Sequence, residues 1–539
     1  MVEQLLSPGS LMMETDTTFV PTLPPNIGAA IVGPTVKGKV NIPTQVTSYN
    51  EYVALFGSEF EENDERVSYF TSIAAYNYFQ EGGDSLIVTR IASGSHGPAS
   101  ASIDISGSVG DLFTLETIAE GENQNSETEL SKYNIVIEIA SVNETKETFT
   151  VLVRRGSDDT ILERFSNLSL DNESPNYITK VIGDMSYEVE GSGSDAYVKS
   201  NGSYPNNSRY IRVKSIDGEG LPVEEVYKFD GGTGDINDTY TNFYESHISG
   251  SFTQGVASSD YTDAFYLLSN QDEYQFNVIV TPGLVYETHS TEIDILKGII
   301  ESRGDSIYPV DLVTYGASIA EVTTEADKID SSYLAAYWPW VQVKEPSIKK
   351  MVWVPASTLI PGVYVFNDIT GETWSAPAGI NRGGLSLVNQ AERKLTTPQR
   401  DTLYQSKVNP IATFPGEGIV VFGQKTLQED ISALDRINVR RLLIDIKGFV
   451  KGISNNLIFE QNSLSTRNSF INQVEPRLEN IQQRGGLYAY KVVMDESLND
   501  QASIDRYELR GAIYIQPTKT AEYVYVDFII TPTGAEFGV

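Results

Sequence analysis

Cysteine is absent from the chain, and histidine occurs only at His96, His247 and His289. Without thiols the protein has no disulfide, no thiolate metal ligand and no cysteine nucleophile. No HExxH, GxSxG, P-loop or GxGxxG motif occurs either. Neighbouring acids such as Asp158 and Asp159 lie in an acid-rich stretch, where a solvated surface is a more frequent role than a catalytic pair. We therefore expect neither an enzyme nor a cofactor or metal site.

Basic residues and long apolar runs are also scarce. The chain has 39 Lys and Arg against 73 Asp and Glu, which gives a formal net charge of −34. Such a charge repels nucleic acid and anionic membranes unless a local basic patch exists. No apolar run reaches the roughly 18 residues of a membrane span, and the N-terminus lacks the basic start of a signal peptide. We expect no nucleic-acid partner, no membrane insertion, and synthesis in a cytoplasm-like compartment.

The 539 residues, 40% of them hydrophobic, are enough for several packed domains. Residues 27–92 and 260–355 alternate strand and helix patterns, which is typical of α/β folds. Residues 96–259 instead carry short alternating strands between polar loops, with 27 acids and 11 bases. This pattern predicts an acidic, antiparallel β insertion that faces water.

The last part of the chain has balanced charge, with 18 acids and 17 bases in residues 386–539. Long helices are predicted over residues 435–453 and 463–484, followed by strands that include residues 521–530. The expected fold class is a multidomain α+β and α/β protein. Its predicted domains are an extended N-terminal arm (1–22), a middle α/β domain (23–95 with 260–385), the β-rich insertion (96–259), a C-terminal core domain (386–520) and a C-terminal strand or arm (521–539).

Both ends of the chain are apolar and have the pattern of extended segments. An apolar extended segment is stabilised by joining a sheet, and the two ends together suggest strand addition to neighbouring copies. The residues predicted to take part in this exchange are Leu5, Leu6, Leu11, Met12 and Met13 at the N-terminus and Tyr523, Val524, Tyr525, Val526 and Phe528 at the C-terminus.

One predicted helix carries a row of bases. On a helical wheel Arg436, Arg440, Lys447 and Lys451 fall on one face, opposite an apolar face. An ordinary solvated helix face and a surface for an acidic partner both fit this pattern, and both remain open at this point.

Several short stretches follow one another in a characteristic order. They are residues 5–16 (LLSPGSLMMETD), 27–39 (IGAAIVGPTVKGK), 82–83 (GG) before 87–90 (IVTR), 337–340 (YWPW), 354–357 (VPAS), 374–379 (WSAPAG), 438–441 (NVRR) and 459–462 (FEQN). In this order the sequence resembles the tail sheath proteins of contractile-tailed bacteriophages. The resemblance covers residues 1–95 and 260–539 and leaves 96–259 as the variable, protruding insertion. By this resemblance, residues 374–379 belong to a linker region of the family and do not form an active site.

The resemblance implies tail-sheath-like α/β core domains and a structural subunit of the virion, assembled in the host cytoplasm. Such subunits form stacked hexameric rings around an inner tail tube and contract to drive the tube through the cell envelope. The implied partners are other copies of the chain, the inner tube protein, and baseplate and tail terminator proteins. By the same analogy the C-terminal core domain faces the tube, and the row of Arg436, Arg440, Lys447 and Lys451 points inward.

Two other interpretations remain. The chain could be the sheath subunit of a related contractile injection system, namely an R-type bacteriocin, an extracellular injection particle or a type VI secretion system. It could instead be a secreted carbohydrate-active or adhesive β protein built on residues 96–259, although the α/β flanks and the lack of a signal peptide count against this.

Overall fold

The computed structural model describes residues 28–62, 65–107, 110–127, 130–234, 248–523 and 525–526. Its first segment alternates strands and helices, as the sequence predicts. The elements are β1 (Ala29–Pro34), β2 (Thr44–Val46), α1 (Tyr49–Phe56), β3 (Phe60–Glu62), β4 (Glu65–Val67), α2 (Phe70–Gln80) and β5 (Leu86–Ile91). The side chain of Ser48 begins α1 by accepting a hydrogen bond from the Glu51 amide at 3.2 Å.

The inserted segment is almost entirely β-structure. It contains β6 (Pro98–Asp104), β7 (Asp111–Glu120), β8 (Ile135–Asn143), β9 (Thr148–Arg155), β10 (Ile161–Leu168), α3 (Ile178–Ile182), β11 (Ser186–Glu190), β12 (Tyr197–Asn201), β13 (Ile211–Ile216) and β14 (Val226–Lys228). One sheet has the order β10-β9-β8-β14 and a second has the order β13-β7-β6. The rings of Phe113 and Phe149 stack between these sheets with centroids 5.7 Å apart. The insertion is therefore a β-sandwich with its own apolar core.

The chain then returns to α/β structure. The elements are β15 (Ile248–Ser249), β16 (Phe252–Thr253), β17 (Val256–Ala257), α4 (Tyr261–Leu267), β18 (Val278–Val280), α5 (Tyr286–Arg303), β19 (Tyr308–Val310), α6 (Ile319–Ala326), β20 (Leu334–Trp338), β21 (Val341–Lys344), β22 (Met351–Val354), α7 (Ile360–Thr370), β23 (Val388–Ala391), α8 (Thr397–Gln405), β24 (Val408–Phe414) and β25 (Gly418–Val421).

The C-terminal part is mainly helical. It consists of α9 (Ile437–Asn455), α10 (Leu464–Gln483), β26 (Leu487–Val493), α11 (Gln501–Asp505) and β27 (Ala512–Pro517). Short 3-10 turns in the described chain are Glu122–Gln124, Gly193–Asp195, Ser258–Asp260, Ala356–Thr358 and Ala433–Asp435. The two long helices predicted from the hydrophobic pattern are thereby confirmed.

A sheet through the middle of the molecule organises the α/β domain. Strands in the order β2-β5-β1-β18 form one half, and β19-β20-β24-β25 form the other. A parallel bridge between Val278 and Ile307 joins the two halves. Alternate residues of β1 enter different cores, since Ile31 packs with α2 and α7 whereas Val32 packs with α4 and α5. The arrangement is a three-layer α/β/α domain.

Two predicted domain boundaries are wrong. Strand β24 pairs in parallel with β20, with Ala336 opposite Val408, so residues 388–421 belong to the middle domain and not to the C-terminal one. Residues 248–257 also lie with the middle domain, where buried Gln254 donates to the Pro282 carbonyl at 2.9 Å. Sequence patterns locate strands but do not give their pairing, and pairing decides the domain to which a strand belongs.

The insertion is tied to the middle domain by a buried arginine at the end of β5. The guanidinium of Arg90 donates to the carbonyls of Gly38 and Glu120, both at 2.7 Å, and of Gly234 at 3.2 Å. These three carbonyls come from the loop after β1, from the end of β7 and from the end of the insertion. One side chain therefore fixes the sandwich onto the sheet that carries it.

Asp311 lies buried just after β19, where its carboxylate accepts hydrogen bonds from the amide (3.1 Å) and hydroxyl of Ser357. Burial raises the pKa of Asp311 to about 7, although the Ser357 hydrogen bonds act in the opposite direction. An Asp in an unfolded chain has a pKa near ~3.9. The folded state consequently holds its proton more tightly, and the chain loses stability as the pH rises from about 4 through about 7.

We predict that Asp311→Asn stabilises the protein at pH 8 and not at pH 4. An amide keeps an acceptor for Ser357 without a buried charge, so the gain in unfolding free energy should grow across this range to a few kcal/mol, on the order of 4 at most. Urea denaturation at several pH values measures it. Asp401→Asn, an exposed site on α8, is the matched control and should show no such trend. A gain independent of pH would contradict the assignment.

Candidate assembly interface

The C-terminal strands β26 and β27 form a two-stranded ribbon that lies on α10. Leu487 and Val492 point into the core formed with α10. Tyr488 and Tyr514 lie on the ribbon and are 62% and 61% exposed. An isolated two-stranded ribbon is only marginally stable unless it packs on another element or gains further strands.

Both outer edges of this ribbon are open. The strands pair antiparallel from Leu487 opposite Pro517 to Val493 opposite Ala512, with a register shift between Leu487 and Ala489. In the part of the chain that the structure describes, no third strand joins either side. An open edge presents unpaired N–H and C=O groups, and these are the groups that an added strand uses.

The residues predicted for strand exchange are partly described. Leu5, Leu6, Leu11, Met12, Met13, Val524 and Phe528 lie outside the described residues. Tyr523, Tyr525 and Val526 are described, and they are 68%, 90% and 66% exposed. The strand predicted over 521–530 is not formed by the described residues 521–523 and 525–526. Within the described part of the chain these residues pair with no strand, so a strong β pattern alone does not make a strand.

The segment leading out of the ribbon is held at Glu522. The guanidinium of Arg436 donates to both of its carboxylate oxygens, from Nε at 2.6 Å and from Nη2 at 3.0 Å. Tyr404 and Gln424 add hydrogen bonds at 3.0 Å and 3.1 Å. We call these four residues the Glu522 clip. Nothing in the sequence signals it, because its members lie far apart along the chain.

The predicted basic row on α9 does not form a continuous exposed surface. Arg440 is only 4% exposed and its guanidinium lies 4.0 Å from the centre of the Tyr333 ring. Arg436 precedes the helix and binds Glu522. Lys447 and Lys451 remain exposed, with Nζ atoms 3.2 Å from the Tyr333 hydroxyl and 2.9 Å from Gln271 Oε1.

The four residues therefore do not form one exposed row, because Arg436 and Arg440 are bound within the chain, and the tube-facing role stays a prediction. Burial lowers the pKa of Arg440, and the nearby Tyr333 partly offsets this. A helical wheel shows that a face is polar, but it does not show whether water or another polar part of the same chain covers that face. Here the basic side of α9 lies on the middle domain, while its apolar side packs on α10.

The segment 371–385, rich in glycine, contains no helix or strand. Its Trp374 is 8% exposed and belongs to the apolar core between α9 and α10. The Trp374 carbonyl accepts a hydrogen bond from buried Asn438 at 3.1 Å. The segment thus joins the middle domain to the C-terminal helices by a buried side chain, a role that its linker-like composition did not reveal.

Other kinds of site receive no support from the described residues. Among them, no group of three or more His, Asp or Glu side chains is placed to hold a metal ion. Within the same part of the chain, no helix is both long and apolar enough to cross a bilayer.

Comparison with solved structures identifies the fold. The helical sheath protein of the anti-feeding prophage, solved in its contracted state, superposes with a TM-score of 0.53. The superposition covers 98% of this chain and 99% of that one at 16% sequence identity. At this identity the likeness concerns the fold, which is that of a contractile-system sheath subunit.

Sequence comparison gives the family. The model of the phage tail sheath protein central domain matches residues 254–427, and that of the phage tail sheath C-terminal domain matches residues 429–531. The tail sheath proteins of Vibrio phage KVP40 and Enterobacteria phage T4 are 40% and 38% identical over 185 residues, 34% of this chain. That match spans 28% of the length of each relative. The chain belongs to the phage tail sheath family.

Proposed function

We propose that this chain is a structural subunit of a phage contractile tail sheath. It polymerises as stacked hexameric rings around an inner tail tube, and contraction of the sheath drives the tube through the host envelope for genome delivery. The main support for this proposal is that a chain of the sheath family has a β26–β27 ribbon with open edges. Strands from other copies could pair with these edges.

Strand exchange supplies the links between subunits. The apolar N-terminal arm of one copy and the C-terminal arm of another would each add to one outer edge of a ribbon. Main-chain hydrogen bonds then hold the register, while the subunit bodies remain free to change their relative angle. Joining a larger sheet also stabilises a ribbon that is marginal on its own.

Contraction then requires no nucleotide. The assembled, extended sheath would be a kinetic trap, and the contracted sheath would bury more surface between subunits. The described residues fit a subunit that moves as a body, since their polar networks, such as Arg90 and its three carbonyls, connect parts of the same chain.

The other partners in the proposal are the inner tube protein, the baseplate and the tail terminator, in a virion assembled in the host cytoplasm. Of the four basic residues, Lys447 and Lys451 remain for the surface proposed to face the tube, because Arg436 and Arg440 are bound within the chain. Both lysines are exposed and lie on the same side of α9.

The alternative is the sheath of a related injection particle, and the fold is shared with the anti-feeding prophage sheath. Phage tail sheath proteins at 38% and 40% identity favour the phage assignment. Capsid and portal genes beside this gene would support a phage, and an unfoldase gene would support a type VI system.

We predict that the purified full-length chain forms hollow striated tubes at high concentration and that deletion of residues 1–20 leaves a folded monomer. The deletion removes one of the two strands proposed to be exchanged and leaves in place every core residue that is described. Negative-stain microscopy and sedimentation measure assembly, and circular dichroism controls for folding. If the full-length chain stays monomeric even with the inner tube protein as template, the proposal fails.

We predict that the C-terminal arm of one copy contacts the ribbon of another. The absence of native cysteine allows two single-cysteine chains of different mass, Val526→Cys and Gln516→Cys, to be co-assembled and treated with a bismaleimide. Mixed dimers should appear on denaturing gels only after assembly. Val526→Cys with Ile161→Cys, on the insertion, is the matched control. Equal yields from both mixtures would count against exchange at the ribbon.

We predict that Lys447→Glu with Lys451→Glu weakens attachment to the inner tube protein without lowering the melting temperature. Exposed substitutions of this kind usually change stability by less than about 0.5 kcal/mol. Lys146→Glu with Lys228→Glu makes the same charge change on the insertion and should leave attachment intact. Co-sedimentation with tubes measures attachment. If Lys447→Glu with Lys451→Glu attaches as well as the wild-type chain, these lysines do not contribute to the interface.

A further inference from the structure

The Glu522 clip lies where the C-terminal arm leaves the folded body. Both oxygens of the carboxylate accept hydrogen bonds, from Arg436 on one side and from Tyr404 and Gln424 on the other. Gln424 also donates to the hydroxyl of Thr520 at 2.6 Å. Thr520 and Glu522, at the start of the arm, are therefore both held by hydrogen bonds to the folded body.

The clip spans the junction between two regions of the chain. Tyr404, on α8, and Gln424 lie within residues 254–427, which match the central-domain family model. Arg436 precedes α9 and lies within residues 429–531, which match the C-terminal model. One carboxylate thus joins side chains from both regions.

Exposure rises beyond the clip for the residues that are described. The Glu522 side chain is mostly buried, whereas Tyr523, Tyr525 and Val526 are mostly exposed. Burial on its own raises the pKa of Glu522, but the hydrogen bonds from Arg436 and Gln424 and the positive charge of Arg436 outweigh it, and the net pKa lies below the usual range. The carboxylate is consequently charged at neutral pH, and the charge-assisted pair with Arg436 is lost as the pH falls through that lowered pKa.

A charged, bidentate pair of this kind has a defined geometry as well as a favourable energy. It sets the direction of the chain at residue 522. Arg436 is itself fixed beside Gln424, because Lys425 and Arg436 form an antiparallel bridge and the Ile437 amide donates to the Gln424 carbonyl at 2.9 Å. The arm therefore starts from a fixed point beside the start of α9.

We propose that Glu522 is a positioning residue for the C-terminal arm: the clip fixes the origin of the arm at the junction of the central and C-terminal regions. The role of the arm in linking subunits rests on the proposed function. The clip itself is a property of the single chain.

The first test uses the full-length, unassembled protein and trypsin. Lys519 is exposed, and no Lys or Arg follows it, so cleavage there releases residues 520–539 as one peptide. Opening of the clip should control this cleavage, since residues 520 and 522 are held by it. Glu522→Gln should release the peptide on the order of tenfold faster, because a lost charge-assisted pair typically changes a local opening equilibrium by at least that factor.

Glu508→Gln is the matched control. Glu508 pairs with Arg506 and Arg510 on the surface, so the substitution makes the same charge change away from the clip. It should leave the release rate unchanged. Release from Glu522→Gln at the wild-type rate would overturn the proposal.

A double variant separates the clip from general loosening. If Arg436 and Glu522 act through each other, Arg436→Gln combined with Glu522→Gln should release the peptide no faster than the faster single variant. If the rate increases of the two single variants multiply in the double variant, the two residues act independently, and this would contradict the clip. Melting temperatures of the four proteins show whether cleavage follows local opening or unfolding of the body.

Assembly gives the second readout. Glu522→Gln should lower the fraction of protein that sediments as tubes at a fixed concentration, and Glu508→Gln should not. If the two variants sediment equally, Glu522 does not position the arm for assembly, even if the clip opens in Glu522→Gln. If the wild-type chain forms no tubes under any condition, the proposed function fails, while the Lys519 cleavage rates still decide whether the clip holds the arm.

Discussion

Parallel pairing across the central sheet is the constraint on which the rest of the structure depends. The bridge between Val278 and Ile307 joins two groups of strands, and the pairing of β20 with β24 brings the chain after residue 400 back into the same sheet. Parallel strands need long crossover connections, and these supply the helices that cover both faces. The insertion, the linker with Trp374 and the start of α9 are all attached to this one frame.

Helix α9 carries the C-terminal part of the molecule on that frame. Its apolar side packs on α10, and its basic side lies on the middle domain around Tyr333. Near its start Arg441 is buried, paired with Asp368 at 2.5 Å and lying 4.6 Å from the centre of the Tyr364 ring. Removing one partner of a buried charge pair is costly, so these arginines fix the position of the helix and, through Arg436, of the chain end beyond the ribbon.

Among the two-stranded sheets of the described residues, β3–β4, β11–β12 and β26–β27, the β26–β27 ribbon is the one that lies next to the C-terminal segment. Its two edges offer hydrogen-bonding groups without a strand to pair with, while the segment that follows it is exposed and apolar. A chain with both an open sheet edge and apolar sequence at its ends is suited to polymerise through its main chain. The proposed strand exchange would place the links between subunits at the ends of the chain and would not require the three-layer domain to change.

Local patterns in the sequence were enough for the class of most segments, although the strand predicted over residues 521–530 is not formed by its described residues. Alternating residues in the insertion predicted antiparallel strands, the spacing of apolar residues predicted α9 and α10, and the order of short stretches indicated the sheath family. The strand and helix predictions depend on neighbouring residues only, through side-chain periodicity and capping. The tertiary structure alone decided which parts of the chain contact one another. It buries Arg440 against Tyr333 and places Trp374 in an apolar core. It also pairs residues 388–421 with the middle domain and brings Glu522 to Arg436 across 86 positions of sequence. Contacts at such separations follow from strand pairing and helix packing, which a local pattern does not encode.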